Sequence, residues 1–441
     1  MRDGDTIVAL SSGALPAGVA VVRLSGPGSG PALISLSGAL PAPRHLTLRN
    51  ITIDDETVDR GLVAWMPGPA SFTGEDTAEV HLHGSRAVVQ RVLRGLTATP
   101  GLRLAEAGEF TRRAFENGKL DLVEAQGLGD LIEAETENQR ALAYTRMEGG
   151  LTRQIEGWRE RLLDLRAELE AQIDFSDESD VGALASTFVN EIETLISDIE
   201  NVCSYGREGR IMRNGFRVVL AGPPNAGKSS LLNALSRSEA AIVSEEPGTT
   251  RDLKEVPLDI KGQLIILIDS AGLRETTSRA EAIGIQRAKS AMMAADQVLW
   301  LQAPDMVWQD PPSFPELDGS PHLKPPIAIV GTKGDLGTVP QASHTVSVAT
   351  GEGIDAMLER LYQVSGASLV RPGDILVSHE RDREGLLGAV RALRRVTAHL
   401  EQPELAAEDL RSASAALERL LGRMDVESVL DHLFSAFCIG K

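Results

Sequence analysis

The residues with the plainest chemical purpose are Gly222-Pro-Pro-Asn-Ala-Gly-Lys-Ser229, which fit the phosphate-loop pattern G-x-x-x-x-G-K-[ST]. Glycines at both ends let successive backbone N–H groups converge on phosphate oxygens, and a helix beginning at the loop's end adds its positive dipole end. On this pattern Lys228 reaches the β/γ-phosphates and Ser229 holds Mg²⁺, with Asn225, Ala226, Gly227 and Ser230 completing the cradle. The flanks supply the context the motif requires. Residues 216–221 form an apolar run that reads as a buried strand, and Leu231, Leu232 and Leu235 recur at helical spacing. A glycine turn matching by accident is the competing reading, and the strand and helix on either side disfavour it.

Further groups follow in the order a nucleotidase needs. Gly248-Thr-Thr-Arg-Asp252 supplies hydroxyls, Thr249 and Thr250, able to close over a γ-phosphate and Mg²⁺. Asp269-Ser-Ala-Gly272, with Ser270 and Ala271 inside it, follows an apolar run at 264–268 and places a carboxylate on the Mg²⁺ side. Lys228 and Asp269 are therefore candidate catalytic residues. Guanine is normally read by N-K-x-D, whose carboxylate takes two donors of the base; here the equivalent is Thr332-Lys-Gly-Asp335. Lys333 and Asp335 are in place, while Thr332 stands where Asn is usual, so guanine is expected over adenine with weakened affinity. Ser347-Val-Ala349, with Val348 between them and Gly351 just beyond, matches the last guanine-side loop. Leu273 occupies the place of the glutamine that often positions water, and an apolar side chain cannot do so. Either hydrolysis is poor or another group, Glu281 or a cation, does this work, the bland reading of Glu281 being a solvated glutamate at a helix start.

Several elements must position these groups. Apolar runs at 6–10, 18–22, 61–65 and 78–82 read as strands with a helix at 85–96, an α+β domain over 1–119. Leu151, Ile155, Trp158, Leu162, Leu165 and Leu169 recur at steps of three and four, as do Phe188, Ile192, Leu195, Ile199 and Val202; similar stripes follow at 386–400 and 405–421. Four stripes need one another to bury their faces, which predicts one discontinuous helical domain, 120–214 with 368–441, into which a domain at 215–367 is inserted. In that insert, runs at 218–221, 264–268, 298–301 and 327–330 alternate with helices, the pattern of a doubly wound α/β sheet. The whole is thus a multidomain α/β and α+β chain with a Ras-like P-loop domain inserted in a helical bundle. Residues 302–326, rich in proline, read as a surface loop of no evident chemistry.

Composition narrows the class. The chain has 441 residues, 42% hydrophobic and 24% charged, which are globular values. Its formal net charge of −19 argues against broad charge-driven nucleic-acid binding and leaves room only for a local basic patch. The absence of an apolar leader or long apolar span, together with only two cysteines, predicts a cytoplasmic protein without disulfides. Cys438 reads either as a nucleophile or as a packed terminal residue. His81 and His83 alternate on a strand and are too few for a metal site. Arg207, Arg210, Arg213 and Arg217 read as a solvated face.

Together the motifs resemble those of the tRNA modification GTPase family called MnmE or TrmE, over essentially the full length. The matching stretches are Ser71-Phe-Thr-Gly-Glu-Asp76, Gly108-Glu-Phe-Thr-Arg-Arg-Ala-Phe115 with Lys119-Leu-Asp121, residues 224–233, Gly272-Leu-Arg-Glu275 with Ile283-Gly284, and Phe437-Cys-Ile-Gly-Lys441. The resemblance implies a potassium-stimulated GTPase whose G domains dimerise during hydrolysis. It implies that Asn225, Ser244, Glu246 and Thr249 contact K⁺, that Ser229 and Thr250 contact Mg²⁺, and that Glu281 orients the attacking water. It further implies an N-terminal domain that binds 5-formyltetrahydrofolate through Arg23, Glu79, Lys119 and Lys441 and forms a homodimer. The implied reaction modifies C5 of the wobble uridine of certain tRNAs together with an FAD/NADH-dependent partner protein, giving carboxymethylaminomethyl or aminomethyl uridine. In the family's early glycine-rich stretch this chain instead reads Ser11-Ser-Gly-Ala-Leu-Pro-Ala-Gly18. A GTP-dependent ribosome-assembly factor or RNA-binding switch without modification chemistry is the competing class.

Overall fold

Strict apolar alternation builds the N-terminal sheet. The computed structural model describes residues 4–174, 186–242, 255–269, 289–312, 325–366, 370–424 and 427–440. They fall into two units, one formed by residues 1–129 with 415–441 and the other by 130–414.

In the first unit, β1 (Thr6–Leu10), β2 (Ala17–Ser25), β3 (Thr47–Ile53), β4 (Glu56–Met66), β5 (Thr77–Gly84) and β6 (Leu102–Leu104) form one sheet in the order β3-β4-β5-β2-β1-β6. All pairs are antiparallel except β1 with β6. Successive side chains on a strand point to opposite faces. Val8, Val22, Leu24, Val63, Trp65, Val80 and Leu82 therefore share one buried face with α1 (Ser29–Ser37) and α2 (Arg86–Thr97). α2 lays Val89, Val92 and Leu96 on that face, a stripe at steps of three and four. Each such side chain, fully buried, contributes about 1.5–3 kcal/mol. The opposite face carries Ile7 and Ala9, covered by Phe110 of α3 (Glu109–Glu116).

An ionic network fixes α3. Arg113 and Arg103 both bond Asp5 and Glu109, with Arg113 Nη2 2.6 Å from Asp5 Oδ1 and Arg103 Nη1 2.8 Å from Glu109 Oε2. Burial opposes ionisation of Asp5 and Glu109, but the hydrogen bonds and charges of the two arginines outweigh it and hold both carboxyls below their usual range. The start of α4 (Leu122–Glu133) packs Leu122 and Ala125 on Leu430 and Phe434 of the C-terminal helix Glu427–Ser435.

The second unit holds α5 (Glu137–Met147), α6 (Gly150–Asp174), α7 (Ser186–Ser204), α8 (Gly206–Asn214) and a second six-stranded sheet. A capping box starts α5, where the Gln139 side chain returns to the Thr136 backbone. The sheet comprises β7 (Phe216–Ala221), β8 (Glu255–Ile260), β9 (Gln263–Asp269), β10 (Gln297–Gln302), β11 (Ile327–Gly331) and β12 (His344–Thr345), in the order β12-β11-β10-β7-β9-β8. All neighbours are parallel except the β8–β9 hairpin. α9 (Lys228–Leu235) follows β7, and α10 (Ile354–Val364) lays Met357 and Leu361 on the same core as Leu220, Leu299 and Val330. α11 (Glu380–Ala398) and α12 (Pro403–Leu421) complete the helices of the chain's second half.

The helical stripes do meet. Arg161 of α6 bonds Glu191 and Asp198 of α7, Arg394 of α11 bonds Glu200 of α7, Arg395 of α11 bonds Asp409 of α12, and Arg411 of α12 bonds Glu170 of α6. Under this ring lies a fully buried pair, Arg146 of α5 with Asp382 of α11 at 2.7 Å.

Sequence reading and structure differ in several respects. The arginines of the 207–217 stretch are not simply solvated: Arg210 pairs with Asp296, Arg213 with Asp130 at 2.7 Å, and Arg217 with Glu255 at 2.9 Å. They tie the entry of the inserted sheet to its surroundings. β8 escaped notice because Pro257 and two acids interrupt its apolar pattern, which an edge strand tolerates. The helices α4, α5 and α8 also escaped, because Gly, Gln, Asn and charged residues break up their apolar positions.

Candidate functional site

β7 lies between β10 and β9, so the strand order reverses beside it. In open α/β sheets that crevice, at the carboxyl ends of the strands, is where ligands bind. Residues 222–227 leave β7 there and enter α9, whose N-cap is Gly227. The glycines are required by geometry. Gly222 has φ +140°, and a Cβ on it would stand 2.3 Å from the Leu301 carbonyl oxygen; Gly227 has φ +87°. Asn225, at the exposed tip, is also left-handed at φ +66°.

Lys228 is buried, and its Nζ donates to the carbonyls of Gly222 at 2.9 Å and Pro223 at 2.8 Å, so the ammonium is held inside the turn. Ser229 Oγ donates to Asp269 Oδ2 at 2.9 Å, joining the first residues of α9 to the end of β9. Hydroxyl and carboxylate give an all-oxygen donor set, the kind a Mg²⁺ ion accepts.

The base-side loops lie at the ends of β11 and β12. Asp335 receives the Ser347 hydroxyl at 2.5 Å, so its carboxylate is oriented by the last loop. Lys333, at φ +51°, pairs with Asp305 at 2.8 Å, and that hydrogen bond holds the Asp305 carboxyl below its usual range. Thr332 is buried; its Oγ1 donates to the Ala226 carbonyl at 2.7 Å and its backbone N–H to the Gln302 carbonyl at 2.9 Å. Val348 and Ala349 are exposed beside Ser347. Ser230 is exposed on the first turn of α9.

The structure therefore brings together Asn225, Ala226, Gly227, Lys228, Ser229, Asp269, Lys333, Asp335 and Ser347. Ser244, Glu246, Gly248, Thr249, Thr250, Ser270, Ala271, Gly272, Leu273 and Glu281 lie outside the described residues. Asp305 was missed: it falls in the loop expected to carry no chemistry, yet it anchors Lys333. Its position three residues beyond the end of a central parallel strand was the available signal.

A second constellation lies in the first unit. Arg23 of β2 and Glu79 of β5 are direct cross-strand partners, with Arg23 Nη2 2.9 Å from Glu79 Oε1, on the sheet face that carries Phe110. Arg23 sits 5.9 Å from the Phe110 ring centroid, within cation–π range. His81 Nε2 contacts the other Glu79 oxygen at 3.2 Å, and His83 bonds Asp59 at 2.8 Å. Both histidines thus have acidic partners, and among the described residues no cluster of three or more metal-type ligands occurs.

Lys119 ends the turn after α3, its N–H bonded to the Ala114 carbonyl, and its side chain passes close to Gly74. The loop containing Gly74 reaches back to β2, where Ser25 Oγ donates to Glu75 at 2.7 Å, two residues from Arg23. The C-terminal segment reaches the same unit's β1: Ile439 makes an isolated β-bridge with Ala107, and the Ser11 hydroxyl donates to the Gly440 carbonyl at 2.9 Å. Leu10 pairs with Val22 and Ala9 with Arg23, while Cys438 is exposed and its carbonyl accepts the Gly108 N–H at 3.5 Å. Lys441 lies outside the described residues. Cys203, the other cysteine, is buried, which pushes its thiol up to about 11.

Two family models match the chain. The MnmE helical domain model matches residues 122–438, and the model of the GTP-binding protein TrmE N-terminus matches residues 6–119. A tRNA modification GTPase MnmE from Chelativorans sp. (strain BNC1) is 48% identical over 443 residues, covering 99% of this chain and 98% of that protein. A second, from Methylobacterium radiotolerans, is 46% identical over 451 residues and covers both chains completely.

Proposed function

The chain belongs to the MnmE family of tRNA modification GTPases, and from that premise we propose that its hydrolysis of GTP serves the modification of C5 of the wobble uridine in certain tRNAs. One observation carries the hydrolytic part. At the strand-order reversal Lys228 is held inside the phosphate-loop turn and Ser229 donates to Asp269, while Asp335 accepts from Ser347 in the loop beyond β11.

Each residue then has a task. Lys228 leaves the carbonyls of Gly222 and Pro223 for phosphate oxygens and neutralises charge as it builds up. Ser229 and Asp269, with Thr250, hold Mg²⁺, which when bound offsets the negative charge of the phosphates. Asn225, with Ser244, Glu246 and Thr249, would hold K⁺, which when bound would supply the positive charge that an arginine supplies in other GTPases. Glu281 orients the water in place of the side chain that Leu273 lacks. Asp335 accepts the N1 and N2 donors of guanine, and Lys333, Ser347, Val348 and Ala349 border the base.

In the first unit, Glu79 suits the amidine edge of a pterin, while Arg23, Lys119 and Lys441 suit carboxylates of a folate tail. We read this as the 5-formyltetrahydrofolate site of a cytoplasmic homodimer that works with an FAD/NADH-dependent partner protein. Cys438 is the thiol we assign to the modification chemistry, because it is exposed and lies in the terminal motif. The divisions 1–119, 120–214 with 368–441, and 215–367 are the proposed domains.

The potassium reading is tested by GTP hydrolysis in KCl against NaCl. Turnover is expected to be at least about tenfold faster in KCl, the size of effect a well-placed charge supplies, and to fall to the NaCl level in Asn225→Ala. Equal rates in the two salts would remove the cation from the mechanism.

A further inference from the structure

Thr332 is the residue at which this chain departs from the usual base-reading sequence, and the structure gives it a definite job. The side chain is buried at 4% exposure against the phosphate loop. Its Oγ1 lies 2.7 Å from the Ala226 carbonyl and 3.4 Å from the Gln302 carbonyl, and Oγ1 and Cβ both stand 3.6 Å from where a Cβ on Gly227 would be. A threonine hydroxyl has one hydrogen to donate. Here both neighbours in reach are carbonyl acceptors, so that hydrogen is committed to the protein whichever of them takes it.

Guanine presents donors on one edge and two acceptors, O6 and N7, on another. Asp335, oriented by Ser347, is matched to the donors. An asparagine at position 332 would bring two N–H donors, enough to bond a loop carbonyl and still face a base acceptor. Threonine cannot do both. Its remaining lone pairs have nothing to offer O6 or N7.

Resting on the reading of this crevice as a guanine-nucleotide site, we propose that Thr332 is a positioning residue: it ties the base loop to the phosphate loop through Ala226 and leaves N7 of the base without a donor from position 332. Base selection accordingly falls on Asp335, with Lys333 kept in place by Asp305. The departure from Asn thus keeps the architecture of the site and gives up one contact to the base.

Equilibrium binding of GDP and of 7-deaza-GDP, in which N7 is replaced by C–H, tests this on the full-length chain. The unaltered protein is expected to bind the two within about twofold of each other, because no net hydrogen bond is lost. Thr332→Asn should create a preference for GDP of about fivefold, the worth of one hydrogen bond of about 1 kcal/mol. Thr332→Val should weaken both ligands equally, by about fivefold, and Thr332→Ser should restore them. Discrimination against 7-deaza-GDP by about fivefold or more in the unaltered protein would overturn the proposal, and this comparison needs no variant to fold. So would a Thr332→Val protein that binds GDP as the original does. Failure of the unaltered protein to bind either nucleotide would instead remove the nucleotide site itself, and this inference with it.

Discussion

At the scale of single residues, the phosphate loop shows how backbone conformation and chemistry are set by the same positions. Gly222 and Gly227 both have positive φ, but only Gly222 faces a carbonyl, that of Leu301, where a Cβ would stand at 2.3 Å. A Cβ on Gly227 would find Thr332 at 3.6 Å, an ordinary contact. Gly222→Ala should therefore cost more than the about 1–3 kcal/mol of an unfavourable backbone conformation alone, whereas Gly227→Ala should stay within that range. Chemical denaturation of the two variants compares them directly, and equal midpoints would contradict the steric argument. These glycines, Lys228 and Ser229 were legible in the sequence because the motif is contiguous. The role of Asp305 was not, since its tie to Lys333 spans 28 residues and depends on two loops meeting beyond adjacent parallel strands. Nor was that of Thr332, because its hydroxyl acts on Ala226, 106 residues away.

At the scale of elements, the apolar stripes of α6, α7, α11 and α12 announced themselves by period, and the structure lays them side by side with ion pairs along their seams. The buried pair between α5 and α11 could not be read in that way. Arg146 and Asp382 look like surface residues in any window of sequence, yet both side chains are fully buried. Arg146 Nη1 also donates to the Leu376 carbonyl at 2.6 Å, so the guanidinium bonds both the start of α11 and the chain just before it. Removing one partner of such a pair leaves a charge in an apolar setting. Asp382→Asn should destabilise the protein by about 3–5 kcal/mol, and Arg146→Met with Asp382→Leu should recover most of that loss. Measured unfolding free energies decide the matter: a single variant as stable as the original would show that water reaches the pair. The N-terminal sheet followed its alternation closely, with β1 where the apolar run predicted it. β3 and α1 stood out less, because Thr, Arg and Asn interrupt the one and Ser, Gly and Pro dilute the other.

At the scale of the whole molecule, a net charge of −19 disfavours broad, charge-driven contact with nucleic acid, so contact with tRNA falls to confined surfaces. The second unit carries a phosphate and base crevice, and the first carries the Arg23–Glu79 pair, which we propose as a folate site. A simple GTP-dependent switch has use for the crevice and none for a folate site. The family resemblance was legible because its motifs lie at both ends and in the middle; what those motifs do together was not, because the C-terminal segment reaches Ala107 and Ser11 only in the fold. The central claim is that GTP hydrolysis here serves modification of a tRNA wobble uridine. Nucleoside mass spectrometry of tRNA from cells lacking this protein tests it most directly. Loss of the C5-modified uridine, restored by the unaltered chain and not by Lys228→Ala, is the result predicted; an unchanged nucleoside profile would contradict it.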